Sequence, residues 1–212
     1  IGKTWAACAL IRMARGQGLR VEAVKPVVSD FDEANWAESD PGRLLTALGR
    51  HHAPAMLEAI SPWRFRAPLA PPMAARLEGR SLDIDEIAAY CRDRIARTGA
   101  DLVVVEGVGG VMSPLTETAT GLDLTAALGA PSVLVGGSYL GAISHTLTAL
   151  EVMRARRASS STSTSCCSSP IPCIRPEKAM APPVAIIVFD GMQSRRWAAP
   201  PTMSRSIIVT CA

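Results

Sequence analysis

The sequence predicts an α/β fold, a doubly wound and mostly parallel sheet with helices on both faces. Three observations predict it. Strand-like runs alternate with segments of helical periodicity as far as residue 156. Two of those runs, Leu102-Val103-Val104-Val105 and Val133-Leu134-Val135, are continuously apolar, as strands covered on both faces must be. The chain also opens on Ile1-Gly2-Lys3-Thr4 followed by an Ala-rich helical stretch, the loop-then-helix order of a phosphate-binding turn.

Taken in order, residues 5–14 read as the first helix, stopped by Gly16-Gln17-Gly18. Residues 21–24 form a short strand that ends at Lys25-Pro26. A polar loop runs through Ser29, Asp30, Asp32 and Glu33 to Ser39-Asp40, and Pro41-Gly42 precedes a helix over 43–48. Residues 54–72 are punctuated by proline, with 61–63 and 66–68 read as extended and a short helix starting at Pro72. Residues 84–97 form an amphipathic helix, with Ile84, Ile87, Ala88, Cys91 and Ile95 on one side. A buried strand follows at 101–106, a helix at 122–128, a second buried strand at 131–135 and a last helix at 141–154.

The character of the chain changes at residue 157. Beyond it lies a Ser/Thr/Cys-rich stretch, then a Pro/Arg-rich one, with Glu177 and Asp190 its only acids and four of the six cysteines. Their spacing is neither that of a zinc site nor that of a disulfide scaffold in keeping with the rest. The reading is one domain over 1–156 and a tail over 157–212, either disordered low-complexity chain or a segment translated in a shifted frame; the coding DNA separates the two. Strand-like runs at 185–189 and 207–209 have nothing in the sequence to place them. Across the 212 residues a net charge of +3 with no basic block argues against nucleic acid as a partner. No apolar run is long enough to span a bilayer and no signal peptide is visible, so a cytoplasmic enzyme is expected.

Ligands of open α/β sheets bind beyond the carboxyl ends of the strands. Three polar positions lie there: Lys25, Glu106 and Gly136-Gly137-Ser138. Lys3 stands where a phosphate-loop lysine reaches the β- and γ-phosphates, and Thr4 where a hydroxyl meets Mg²⁺. Glu106 leads into Gly107-Val108-Gly109-Gly110; a strand-end carboxylate there can hold Mg²⁺, and glycines allow close approach of backbone to ligand. Lys25, one of three lysines in an arginine-rich chain, offers a compact charge for a transferring phosphoryl group or an anionic substrate. Asp30, Asp32, Glu33, Glu38 and Asp40 share one acidic loop, and composition does not choose among them. His51 and His52 read as surface residues, and His145 as a hydrogen-bonding partner.

Over residues 1–156 the chain resembles the dethiobiotin synthetases, ATP-dependent ligases of biotin synthesis with a P-loop NTPase-like fold. The resemblance rests on Gly2-Lys3-Thr4, Lys25-Pro26-Val27 with Ser29, Ser39-Asp40, Ala67-Pro68 with Pro72, Val105 to Gly110 with Pro114-Leu115, and Leu140-Gly141 with Ser144-His145. It implies a homodimer acting on 7,8-diaminononanoate, CO₂ and ATP. A carbamate forms on one amine, ATP phosphorylates it, and the second amine closes the cyclic urea. It further implies that Gly2, Lys3 and Thr4 contact ATP, with Glu106, Gly107, Val108 and Gly109 lining the nucleotide site. Thr4, Asp40 and Glu106 would hold Mg²⁺ and Lys25 would be the catalytic lysine. Ser29 would contact the substrate, and Gly141 with Ser144 would receive its carboxylate across the dimer interface. It also places a strand and a glycine-bearing half-loop ahead of Ile1. A cobalamin-type P-loop amidoligase, a partitioning-type ATPase switch and an inactive fragment are the alternatives.

Overall fold

The computed structural model describes residues 2–160, 173–174, 184–189 and 206–212. Most of the Ser/Thr/Cys-rich stretch, for which disorder or a shifted frame was expected, lies outside the described residues. In chain order the elements are α1 (Lys3–Gly16), β1 (Val21–Val24), β2 (Val27–Val28), α2 (Asp40–Ala47), α3 (Pro54–Ile60), β3 (Trp63–Arg64) and α4 (Pro71–Leu77). They continue with α5 (Ile84–Arg97), β4 (Leu102–Glu106), α6 (Gly121–Leu128), β5 (Ser132–Gly137), α7 (Ala142–Ser160), β6 (Cys173–Ile174), β7 (Val184–Phe189) and β8 (Ser206–Cys211).

The main sheet has six strands in the order β1-β4-β8-β5-β7-β6. The four from β1 to β5 are parallel, while β7 runs antiparallel to β5 and β6 antiparallel to β7. Alternate residues along the parallel strands go to opposite faces. On one face Val21, Ala23, Leu102, Val104, Val133, Val135 and Val209 pack with Ala6, Ala7 and Ile11 of α1 and Leu44 and Leu45 of α2. On the other, Val24, Val103, Val105 and Ile208 meet Cys91 of α5, and Leu134 meets Ala149, Leu150 and Met153 of α7. The expected fold, a mostly parallel sheet with helices on both faces, is therefore present.

Local chemistry accounts for the start of α5 and both ends of α6. Asp83 caps α5 by accepting from the Asp85 and Glu86 N–H groups. A Thr120/Asp123 capping box opens α6, and Gly129 closes it at φ 59°. Gly136 lets α7 approach β5, since a Cβ there would lie 2.7 Å from Thr146 Oγ1.

Three elements differ from the sequence reading. Residues 54–60, given no element in the sequence reading, form α3, because Pro54 occupies the first helical turn, where proline costs no hydrogen bond. A two-stranded parallel pairing of β2 with β3 buries Val27 and Val28 beside it. Residues 206–211, which nothing in the sequence located, enter the middle of the main sheet as β8.

Candidate active site

Strand register brings the first two functional side chains together. Val24 pairs with Val105, so Lys25 and Glu106 are lateral neighbours at the carboxyl ends of β1 and β4. Adjacent strands lie about 4.8 Å apart, within reach of an ion pair on a shared face. Lys25 Nζ lies 2.8 Å from Glu106 Oε1 and 3.5 Å from the Gly107 carbonyl. Both side chains are buried, Lys25 at 3% and Glu106 at 0% exposure. The Lys25 main chain is fixed as well: its N–H donates to the Ile60 carbonyl, and its carbonyl accepts from the Ser61 hydroxyl.

Helix starts supply the rest. Asp40 is the first residue of α2, where Pro41 fits the first turn and a carboxylate suits the positive end of the helix. Its Oδ2 lies 3.0 Å from Lys25 Nζ. The structure thus selects Asp40 from the five acids of that loop as the one on Lys25. Thr4, in the first turn of α1, has its Oγ1 2.8 Å from Asp40 Oδ1 and 2.7 Å from Glu106 Oε1. A hydroxyl carries one proton, so it donates to one carboxylate at a time.

Electrostatics follow from this packing. Burial works against the Lys25 ammonium, but Glu106 and Asp40 outweigh it and hold its pKa above the ordinary lysine value. Burial opposes the Asp40 carboxylate too, yet Lys25, Thr4 and Lys3 bring its pKa below the ordinary value. The Cys8 thiol on α1 is raised to about 11 by burial, with Glu106 adding to it.

Lys3 stands at the start of α1, behind Gly2 at φ 86°, a left-handed conformation that suits glycine. Its Nζ is 3.5 Å from Cys211 Sγ, and that thiol donates to the Gly109 carbonyl at 3.2 Å. Gly109 has φ 64°, and a Cβ there would come within 2.5 Å of Ser113. Val108 is half-buried against the cluster that contains Phe65 and Leu115. Ser29 follows β2 with its hydroxyl buried and without a partner. Gly141 and Ser144 stand exposed at the start of α7, beyond the end of β5. Sequence reasoning missed Ser61, Ile60 and Cys211; their partners are 35 to 208 residues away, and nothing local signals the contacts.

The donor set suits Mg²⁺. Glu106 Oε2 is buried with no hydrogen-bond partner, leaving one carboxylate oxygen with an open direction. Among the described residues no three His, Cys, Asp or Glu gather as a metal cage. Two carboxylates and a hydroxyl fit a hard cation that keeps waters and shares its shell with phosphates.

A Gly-Lys-Thr helix start over two strand-end residues of opposite charge defines a P-loop α/β domain, and residues 1–161 match the family model described as AAA domain. The chain is 55% identical over 156 residues to the ATP-dependent dethiobiotin synthetase BioD of Caulobacter vibrioides (strain NA1000 / CB15N), covering 74% of this chain and 70% of that protein. It is 56% identical over 156 residues to the protein of the same name from Phenylobacterium zucineum (strain HLK1), covering 74% and 67%. Against the one from Methylobacterium nodulans (strain LMG 21967 / CNCM I-2342 / ORS 2060) the identity is 48% over 157 residues, covering 72% and 70%. The chain belongs to the ATP-dependent dethiobiotin synthetase family.

Proposed function

We propose that this chain is a dethiobiotin synthetase, an ATP-dependent ligase that joins CO₂ to 7,8-diaminononanoate and closes the cyclic urea, giving ADP and phosphate. The observation that carries the reading is the buried Lys25 ammonium held between Glu106 and Asp40, with the Thr4 hydroxyl on the same two carboxylates. The substrate's own amines serve as nucleophiles, so the protein has only to position charge.

Each residue has a defined part. Lys3 and the α1 N–H groups hold the ATP phosphates, and Gly2, Gly107, Val108 and Gly109 shape the nucleotide site. Thr4, Asp40 and Glu106 hold Mg²⁺, which when bound screens phosphate charge. Lys25 steadies the carbamate oxygen and the charge that develops as the phosphoryl group passes to it. The unpartnered Ser29 hydroxyl offers a hydrogen bond to substrate.

Gly141 and Ser144 receive the substrate carboxylate from a second copy of the chain. A homodimer is supported by the exposed apolar side chains of Leu140, just before α7, and of Ile143 and Leu147 on α7. The enzyme works in the cytoplasm, in keeping with the absence, among the described residues, of any helix long and apolar enough to cross a membrane.

The test is phosphate release from ATP in the presence of diaminononanoate and bicarbonate, with and without EDTA. Release that needs all three and stops with EDTA supports the reading. ATP hydrolysis indifferent to the diamine sinks it.

A further inference from the structure

A cavity of about 270 Å³ opens beside β3 and the end of α4, where Arg64, Arg66 and Arg80 line it with Glu33 and Glu78. None of Lys3, Thr4, Lys25, Asp40 or Glu106 is among its lining residues. Two segments bring the three guanidiniums there. Arg64 is the second residue of β3, in register with Val28, and Arg66 follows two residues on. At the end of α4 the Gly79 N–H donates to the Arg76 carbonyl at 3.1 Å and the Arg80 N–H to the Ala75 carbonyl at 2.8 Å. This is a Schellman turn, with Gly79 at the left-handed φ of 65° that it requires. It returns Arg80 to β3, where Nη1 donates to the Arg64 carbonyl at 3.2 Å.

Two aromatic rings hold guanidiniums in place. Arg64 lies over Phe31, 5.6 Å from the ring centre, and Arg80 over Phe65 at 4.7 Å. Both rings are buried. A guanidinium stacked on a ring face keeps its in-plane N–H donors for other partners. The lining side chains carry three positive charges and two negative ones. Arg64 is matched by Glu58, outside the cavity, at 2.9 Å. Glu78 is engaged as well, accepting from the Arg66 N–H at 2.8 Å and lying 4.0 Å from Arg80. The Arg66 guanidinium has no partner among the described residues, and neither has the Glu33 carboxylate. The unmatched positive charge therefore sits at Arg66 and Arg80, with Glu33 opposing it.

We propose that this cavity is a second ligand site, one that takes an oxyanion, a carboxylate or a phosphate group, between the Arg66 and Arg80 guanidiniums. A planar fork of N–H donors matches two oxygens of such a group at once. Glu33 weakens the site and sets its preference for a small, singly bound anion over a crowded one. The site is independent of the phosphate reading given to the start of α1.

NMR titration of the full ¹⁵N-labelled chain with inorganic phosphate, and separately with acetate, tests it at constant ionic strength. The N–H signals of 64–66 and 78–80 should shift together and saturate, with a Kd of roughly 1–10 mM for the better anion. Tighter phosphate assigns the site to phosphate groups, and tighter acetate assigns it to carboxylic acids. Signals at 2–6 report separately on anions at the start of α1. Arg66→Gln, whose side chain has no contact to lose, should raise the Kd about threefold to tenfold. Glu33→Gln should lower it about twofold to fivefold, because it removes a like charge. No saturable shift at 64–66 and 78–80 with either anion up to about 50 mM overturns the proposal. So does a Kd unmoved by Arg66→Gln, or one that rises in Glu33→Gln.

Discussion

Replacing Lys25 with glutamine removes one positive charge at nearly constant side-chain length, which makes it the sharpest probe of the site. In the native chain the ammonium is 2.8 Å from Glu106 and 3.0 Å from Asp40. At an effective dielectric of about 20 each contact is worth roughly 6 kcal/mol of Coulomb attraction before desolvation. Asp40 is 40% exposed, so water screens much of its share. Glu106 is fully buried, and without Lys25 the Thr4 hydroxyl is the donor left on its Oε1. Breaking a buried pair on one side costs about 3–5 kcal/mol. At about 2–4 °C per kcal/mol for a chain of this size, Lys25→Gln should melt roughly 6–20 °C lower at neutral pH. The Asp40 share of the deficit should shrink as the pH falls through its lowered folded value, because a protonated carboxyl needs no counter-ion. Turnover should be lost, while ADP binding at Lys3 persists below the melting point. Scanning calorimetry across pH with ADP titration reads all of this. A Lys25→Gln chain that melts within about 2 °C of the parent at pH 7 would refute the argument, as one or two kcal/mol is the least a buried unpaired carboxylate can cost.

The remaining predictions concern groups around that pair. Thr4→Val keeps the size but removes the hydroxyl between the two carboxylates; it should raise the Mg²⁺ needed for half-maximal turnover by at least roughly tenfold, and an unchanged Mg²⁺ titration would exclude Thr4 from the metal site. Gly42→Ala puts a Cβ 2.2 Å from the Ala37 carbonyl oxygen, a backbone atom that cannot rotate away, so α2 and Asp40 must shift. It should destabilise by about 1–3 kcal/mol in urea unfolding, with weaker Mg²⁺ response. For the pH dependence of the parent chain, the Asp40 contribution is present above the ordinary carboxylate pKa of about 3.9 and is lost as pH falls through its lower folded value. That of Lys25 is present below about 10.4 and is lost as pH rises through its higher folded value. Urea midpoints should therefore form a plateau across neutral pH that falls on both sides.

The parts of the site legible in the sequence are those fixed by strand ends. A lysine before Pro26 and a glutamate before Gly107 each follow an apolar run, and parallel pairing then makes them neighbours without further information. Gly2-Lys3-Thr4 was readable for a similar reason: loop and helix start are contiguous, so one local segment carries the geometry. Asp40 was not separable from four other acids by composition, because what selects it is the packing of α2 on α1, a contact between side chains some forty residues apart in sequence. The helix at 54–60 was obscured by its own starting proline, which reads equally as a turn. The position of β8 was not legible for a deeper reason. Its sequence, Ser-Ile-Ile-Val-Thr-Cys, is a buried-strand run like those of β4 and β5, but strand pairing is non-local and nothing in six residues states which slot they fill. The slot is set by the rest of the sheet. β4 and β5 both offer inner edges at the sheet centre, buried backbone there must find hydrogen-bond partners, and β8 satisfies both edges at once. An apolar strand lying between the α1 and α5 layers therefore ties the Glu106 turn, α1 and Lys3 to one another.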